Sequence, residues 1–448
     1  MTNIKPSSSL LPALASLPHE LPIKPIGHPV DLELDVPGSK SITNRALVQA
    51  ALADGPVMLT HALVADDTVY MVRALKDLGF QVEQDLKNLT VSVQGQGGRI
   101  PVDKASVFTG NAGTVMRFLS AAVCLGHGSY RLDGTERMRE RPIADLTDAL
   151  TAHGVQASCE RNNGCPPVLI EARGLPGGRI KVDGSRSSQY LSGLLLAAPY
   201  ALSPLELEVT GEFVSKPYVE LTLRTMADFG VGAQTEGERL YRPFHGAKYR
   251  AGQYAIEGDA SNATYFLAAA AILGGRVAVT NLRADSPQGD AGFAMVLERM
   301  GCRVRKGFLS GGKGIEVSRD PATPLKAVRV DLNHMPDVAQ TLAAVAMFAQ
   351  GTTEIINVGN LRIKETDRLK ALATELARLG AEVEEGPDSI EITPSKNLDA
   401  AVDTYDDHRM AMALTLVGLG RSGVTIKDPA CVGKTYPTYF QDVEKLRK

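Results

Sequence analysis

Six short segments of this chain look alike and return on a nearly fixed beat. They are Pro37-Gly38-Ser39-Lys40-Ser41, Thr109-Gly110-Asn111-Ala112-Gly113, Asp183-Gly184-Ser185-Arg186-Ser187, Glu257-Gly258-Asp259-Ala260-Ser261, Asp331-Leu332-Asn333-His334-Met335 and Tyr405-Asp406-Asp407-His408-Arg409. Their second members stand at 38, 110, 184, 258, 332 and 406, one spacing of 72 followed by four of 74. A long constant period marks one supersecondary unit used again and again. The chain has 448 residues, and single cores rarely grow past ~250–300, so the copies must divide between domains.

The content of a copy follows from its pattern. Each anchor trails a strand-like run, such as residues 32–36, 180–182 or 327–330, and leads an Ala/Leu-rich helical stretch such as 264–273 or 341–348. Ser39, Asn111, Ser185, Asp259, Asn333 and Asp407 are residue types that favour the helix N-cap. A second strand (277–280, 353–357) and a second helix follow; Leu369, Leu372, Leu376 and Leu379 line one face of such a helix. Gly79, Gly154, Gly230, Gly301 and Gly380 stand where helices stop. The fold class is therefore α/β, with two globular domains of three repeated βαβαββ-type units each, six units in all. The expected division is residues 39–257 against residues 1–38 plus 258–448. The sixth copy ends at Lys448 before its last strands, and the strand at 31–36 is expected to complete its sheet.

Composition closes off several classes of function. Lys and Arg number 48 against 51 Asp and Glu, a net charge of −3 that argues against a chain-wide nucleic-acid footprint. No uncharged apolar run of 18 residues is present, so no membrane-spanning helix is expected. The five cysteines (Cys124, Cys159, Cys165, Cys302 and Cys431) lack metal-ligand spacing and fit reduced thiols in the cytoplasm. Cys124 lies in the apolar run 119–125 and is expected in the core. The first thirty residues hold six prolines, and the apolar stretch 10–17 is broken by Pro12, which suggests a flexible extension rather than a secretory leader.

Function has to be sought where the copies differ. The fourth anchor carries no cation and looks purely architectural. The first places Lys40 and Arg45 on the opening turns of its helix, the second offers the small-residue loop Asn111-Ala112-Gly113-Thr114 with Arg117, and the third gives Ser187-Ser188-Gln189. The fifth holds Asp337 and the sixth Asp407-His408-Arg409. Further clusters precede the second helices: Glu140-Arg141-Pro142-Ile143, Ser215-Lys216-Pro217-Tyr218, Arg362-Ile363-Lys364-Glu365-Thr366-Asp367-Arg368 and Lys434-Thr435-Tyr436-Pro437. Helix N-termini already attract anions. Adding cations there raises electrostatic cost, which an anionic substrate explains better than stability does.

At these residues the chain resembles the 5-enolpyruvylshikimate-3-phosphate synthase family of enolpyruvyl transferases. The matching stretches begin with Pro37-Gly38-Ser39-Lys40-Ser41-Ile42-Thr43-Asn44-Arg45 and run in order through Gly110 to Thr114, Arg141-Pro142-Ile143, Ser187 to Tyr190, Asn333 to Asp337, Lys364 to Arg368 and Asp407 to Met410. The resemblance implies an active site in the interdomain cleft. It implies transfer of the enolpyruvyl group of phosphoenolpyruvate to the 5-hydroxyl of shikimate 3-phosphate, with no cofactor and no metal. By position, Ser41, Arg45, Ser187, Ser188, Gln189, Ser215, Tyr218, Asp337, Asn360 and Lys364 would hold shikimate 3-phosphate. Lys40, Asn111, Gly113, Arg141, Gln189, Arg368, Arg409 and Lys434 would hold phosphoenolpyruvate. Asp337 would sit at the attacking hydroxyl; Lys40 and Glu365 are the two candidates for moving protons at the enol carbon.

These assignments make chemical sense. Two phosphates and two carboxylates bring about −5 to −6 of charge, counting about −1.5 to −2 per phosphate. Guanidinium forks suit such groups, and Lys releases a proton more readily. With cations drawn from both domains, an empty cleft is expected to repel itself open and to close on the first ligand. The partners expected are the two small-molecule substrates, with no nucleic acid, no membrane and a monomeric chain in the cytoplasm. Phe118 departs from relatives that place Pro after the arginine at 117. In the family that the chain resembles, sensitivity to glyphosate, a competitor of phosphoenolpyruvate, often depends on the small residue found here as Gly113, which implies a sensitive enzyme. Two rivals stand beside this reading. One is a UDP-N-acetylglucosamine enolpyruvyl transferase, whose loop cysteine is missing from residues 135–142 here. The other is a noncatalytic binder of anions or RNA ends on the same repeat.

Overall fold

The computed structural model describes residues 12–448. It divides into two compact units, one of Gly38–Ile256 and the other of the described residues up to Pro37 together with Glu257–Lys448.

Within Gly38–Ile256 stand three four-stranded sheets of one design. In the second copy Lys104–Phe108 runs parallel to His127–Asp133, which pairs antiparallel with Val168–Arg173, and Gln156–Cys159 closes the edge. The third copy repeats this with Gly178–Asp183, Leu205–Thr210, Leu240–Pro243 and Ala233–Glu236. The anchor helices Lys40–Leu52, Gly113–Ala122 and Gln189–Ala197 pack on one another inside the unit. Every residue of Gly113–Ala122 is buried, as expected of a helix apolar on nearly all sides. The other unit packs Ala260–Leu273, Ala339–Ala346 and His408–Gly420 in the same way. The five stop-position glycines all adopt φ between +85° and +107°, where a side chain would be strained.

Two strands are exchanged relative to chain order. Val30–Leu34 precedes the first anchor yet runs parallel to Gly275–Arg283 in the sheet of the fourth copy. Gly252–Ala255 precedes the fourth anchor yet runs parallel to Pro56–Thr60 in the sheet of the first. The expectation that the strand at 31–36 completes the sixth sheet is therefore corrected. Glu20–Pro22 takes that place, antiparallel to Val424–Lys427, which also pairs with Ala400–Val402.

The same segment corrects the flexible-extension reading over its described part. Pro12–Ala15 is helical, Leu14 and Ile26 are buried, and the Ile26 N–H donates to the Leu419 carbonyl. These contacts hold the segment against the His408–Gly420 helix, the turn Pro429–Lys434 and the last sheet, which is why the prolines do not leave it loose. Residues 1–11 of that extension lie outside the described residues.

Three of six expected N-caps also shift. Ser39, Asp259 and Asp407 cap as expected, their side chains accepting from Ile42, Asn262 and Arg409 N–H. The other helices start later: Ala112 and Ser188 precede Gly113–Ala122 and Gln189–Ala197, and a 3-10 turn, Pro336–Val338, intervenes before Ala339–Ala346. Ser185 and Asn333 instead donate their N–H groups to Asp183 and Asp331 in side-chain-closed turns. These delayed starts leave short loops ahead of the core helices.

Candidate functional site

In the unit Gly38–Ile256, the three core helices bring their N-terminal ends together. Asn44 donates to Thr114 Oγ1 at 2.7 Å, and Arg45 reaches Ser192 Oγ at 3.4 Å. The loop around Gly113 is the tightest point. A Cβ there would stand 2.5 Å from Arg117 Nη1, 2.9 Å from Arg141 Nη2 and 3.3 Å from Gln189 Oε1. Arg141 is fixed by donating to both the backbone and side-chain oxygens of Asn111 at 3.0 Å. Asn111, Gly113, Arg141 and Gln189 are thus brought together. Ser187 Oγ accepts from the Gln189 N–H, and buried Ser188 stands at the head of that helix.

Arg45 takes a different place from that of an exposed cation. It is 1% exposed and donates to Thr222 Oγ1 at 2.8 Å, Ser41 O at 2.9 Å and Tyr218 O at 2.8 Å. Burial pushes its guanidinium down to about 9, still charged at neutral pH. Phe118 lies under it, 5.1 Å from ring centre to guanidinium carbon. Arg45 therefore ties Ser41 to Tyr218, and Tyr218 in turn donates its N–H to the carbonyl of Ser215, a residue with φ of +55°. Lys40 opens its helix with its ammonium 3.5 Å from buried Asp67.

The other unit assembles a denser set. Arg368 is 1% exposed and held on three sides: Nε to Asp407 at 2.7 Å, Nη1 to Asp337 at 3.0 Å and Nη2 to Glu365 at 2.8 Å. Burial alone would lower its guanidinium; the three carboxylates outweigh that and hold it above its ordinary range. Asp337 also meets Arg409 at 2.8 Å and Lys364 at 4.0 Å, while Lys434 approaches Glu365 at 3.7 Å. Asp337, Lys364, Glu365, Arg368, Arg409 and Lys434 are one cluster. Asn360 lies in the turn Gly359–Ile363 just before it.

Each of Lys364, Arg368, Arg409 and Lys434 has a carboxylate within 4.0 Å. A buried cation without an acid or an anionic ligand carries a large desolvation cost.

A family model for EPSP synthase (3-phosphoshikimate 1-carboxyvinyltransferase) matches residues 25–443. The chain belongs to the EPSP synthase family. It is 48% identical over 434 residues to the 3-phosphoshikimate 1-carboxyvinyltransferase of Psychromonas ingrahamii, covering 95% of this chain and 99% of that one. The chloroplastic protein of that name from Solanum lycopersicum is 47% identical over 448 residues, covering 97% and 86%. Among solved structures, EPSP synthase from Acinetobacter baumannii superposes with a TM-score of 0.78 at 25% identity, over 95% of this chain and 98% of that one. An enolpyruvyl transferase of Streptomyces tendae, 18% identical with a TM-score of 0.74 over 95% and 97%, shares the fold.

Sequence reasoning passed over four members of these clusters: Asp67, Ser261, Asp290 and Asp407 as an ion-pair partner. A signal for two of them was present. Asp67, Arg141, Lys216, Asp290 and Lys364 recur 74 or 75 residues apart. The position at or just before the start of the second helix thus bears a cation in copies two, three and five and an acid in copies one and four. Cys124 lies in the core as expected, fully buried, its thiol pushed up to about 12 by burial. Among the described residues no helix is long and apolar enough to cross a membrane.

Proposed function

We propose that this chain transfers the enolpyruvyl group of phosphoenolpyruvate to the 5-hydroxyl of shikimate 3-phosphate and releases phosphate. Membership of the EPSP synthase family supports the reaction. The observation that carries the residue roles is Asp337, a carboxylate held among Arg368, Arg409 and Lys364. A carboxylate beside cations that suit anionic reactants supports a role for Asp337 as base towards the acceptor hydroxyl.

In this reading Ser41, Arg45, Ser187, Ser188, Gln189, Ser215, Tyr218, Asp337, Asn360 and Lys364 hold shikimate 3-phosphate, and Arg45 also ties Ser41 to Tyr218. Lys40, Asn111, Gly113, Arg141, Gln189, Arg368, Arg409 and Lys434 hold phosphoenolpyruvate. Asp337 takes the proton of the 5-hydroxyl as its oxygen bonds to C2 of phosphoenolpyruvate and C3 gains a proton. Loss of phosphate from C2 and of a proton from C3 then restores the double bond. Lys40, beside Asp67, and Glu365, beside Lys434, are the two groups available at C3. The two lobes supplying these residues are residues 39–257 and residues 1–38 with 258–448, a division that the compact units support.

A monomer in the cytoplasm fits this assignment, and five free cysteines suit a reducing compartment. The reading is tested by offering shikimate 3-phosphate and UDP-N-acetylglucosamine separately with phosphoenolpyruvate. Phosphate release with the first alone is expected; release with the second would overturn it.

A further inference from the structure

The fourth copy, architectural by its sequence, reaches into the cluster of the sixth. Ser261, on the first turn of Ala260–Leu273, accepts a hydrogen bond from Arg409 Nη2 at 3.3 Å and donates its own proton to Asp290. Asp290 comes from the turn Gly289–Gly292 before the second helix of that copy. It is 4% exposed, and among the described residues its Oδ1 has no hydrogen-bond partner. A buried carboxylate with one oxygen unsatisfied costs more than a neutral amide in the same place, and an apolar side chain would avoid the cost altogether. Its charge therefore calls for a use.

The geometry points to Ser261 and Asp290 as positioning residues for Arg409 in phosphoenolpyruvate binding. A hydroxyl rotor has no fixed direction by itself. Asp290 draws the Ser261 proton to one side, so that a lone pair faces the guanidinium. Arg409 also meets Asp337 Oδ2 at 2.8 Å, and in the reaction above that carboxylate turns to the acceptor hydroxyl. Ser261 is then an anchor that stays. The same helical turn also steadies the neighbouring cation: Asn262 Nδ2 donates to the carbonyl of Thr435, next to Lys434, at 3.2 Å.

The charged groups facing Asp290 are Asp337, Asp259 and Arg409. Burial, then Asp337, raise the carboxyl to about 6 against Arg409 and the Ser261 hydrogen bond, with Asp259 a further upward influence. Ionised above that pH, the acid orients Ser261; protonated below it, the acid becomes a donor and the orientation is lost.

The inference rests on the reading of Arg409 as a phosphoenolpyruvate contact, and steady-state kinetics separate the two. Ser261→Ala should raise KM for phosphoenolpyruvate about tenfold, the worth of one hydrogen bond to a charged group, and leave KM for shikimate 3-phosphate unchanged. Ser261→Thr should restore most of the loss. Asp290→Asn should show the raised KM at neutral pH and lack the further rise expected of the unsubstituted enzyme below about pH 6. Adding Ser261→Ala to Arg409→Ala should change nothing more, because coupled residues are not additive. If Arg409→Ala raises KM and Ser261→Ala does not, or raises both KM values alike, the positioning role is wrong. If Arg409→Ala leaves KM for phosphoenolpyruvate unchanged, the binding assignment itself fails.

Discussion

Replacing Arg368 by Met keeps most of the side-chain volume and removes the one cation that three carboxylates share. Asp407, Glu365 and Arg368 itself are all less than 9% exposed at the side chain, and Asp337 is 16% exposed. Removing one member of a buried ion pair costs about 3–5 kcal/mol, because the partner stays behind uncompensated. Here three partners stay behind; Asp337 and Glu365 retain Arg409, Lys364 and Lys434, while Asp407 keeps His408 Nδ1 at 3.5 Å among the described residues. A loss of about 3–5 kcal/mol at pH 7 is a large share of the ordinary 5–15 kcal/mol of a domain.

The pH dependence of that loss has a definite sign. In the variant, crowded carboxylates bind protons more readily folded than unfolded. Protonation then favours the folded state, so the deficit should shrink as pH falls from 7 towards about 5. The chain has no Trp, so the suitable probe is hydrogen exchange of the His408–Gly420 helix, which carries Arg409, in urea at several pH values. A deficit under about 1 kcal/mol at pH 7, the range of exposed pairs, would refute the reasoning. So would a deficit that widens on acidification.

Other consequences are simpler to state. Gly113→Ala places a methyl 2.5 Å from Arg117 Nη1 and 2.9 Å from Arg141 Nη2; both ends must shift, so KM for phosphoenolpyruvate and the half-inhibitory concentration of glyphosate should both rise. An unchanged dose–response would show that the loop has slack. Alkylation of the native enzyme at neutral pH should leave activity intact, since Cys124, Cys159, Cys302 and Cys431 are buried and burial raises the Cys165 thiol. Inactivation in proportion to label would restore a cysteine-dependent mechanism.

The architecture was legible because a period of 74 residues survives any change of side chain that keeps strands, helices and their stops in place. What the period could not tell was which sheet each strand joins. Val30–Leu34 and Gly252–Ala255 are exchanged between copies one and four, and a parallel register carries no local mark that separates one sheet from another. The cations were legible as departures from the repeat. Their acids were less so, because Asp67 and Asp290 sit where an acid also reads as an ordinary helix start. Arg45 shows the same limit from the other side: its place beneath Ser41 and Tyr218 depends on Thr222, 177 residues away.

The most direct test is phosphate release from phosphoenolpyruvate with and without shikimate 3-phosphate, by the unsubstituted enzyme, Lys40→Met and Asp337→Ala. Release only with both substrates is expected, falling about 10²–10⁴-fold in Asp337→Ala, the usual range for a lost general base, and falling also in Lys40→Met. Release that survives both substitutions at full rate would contradict the account.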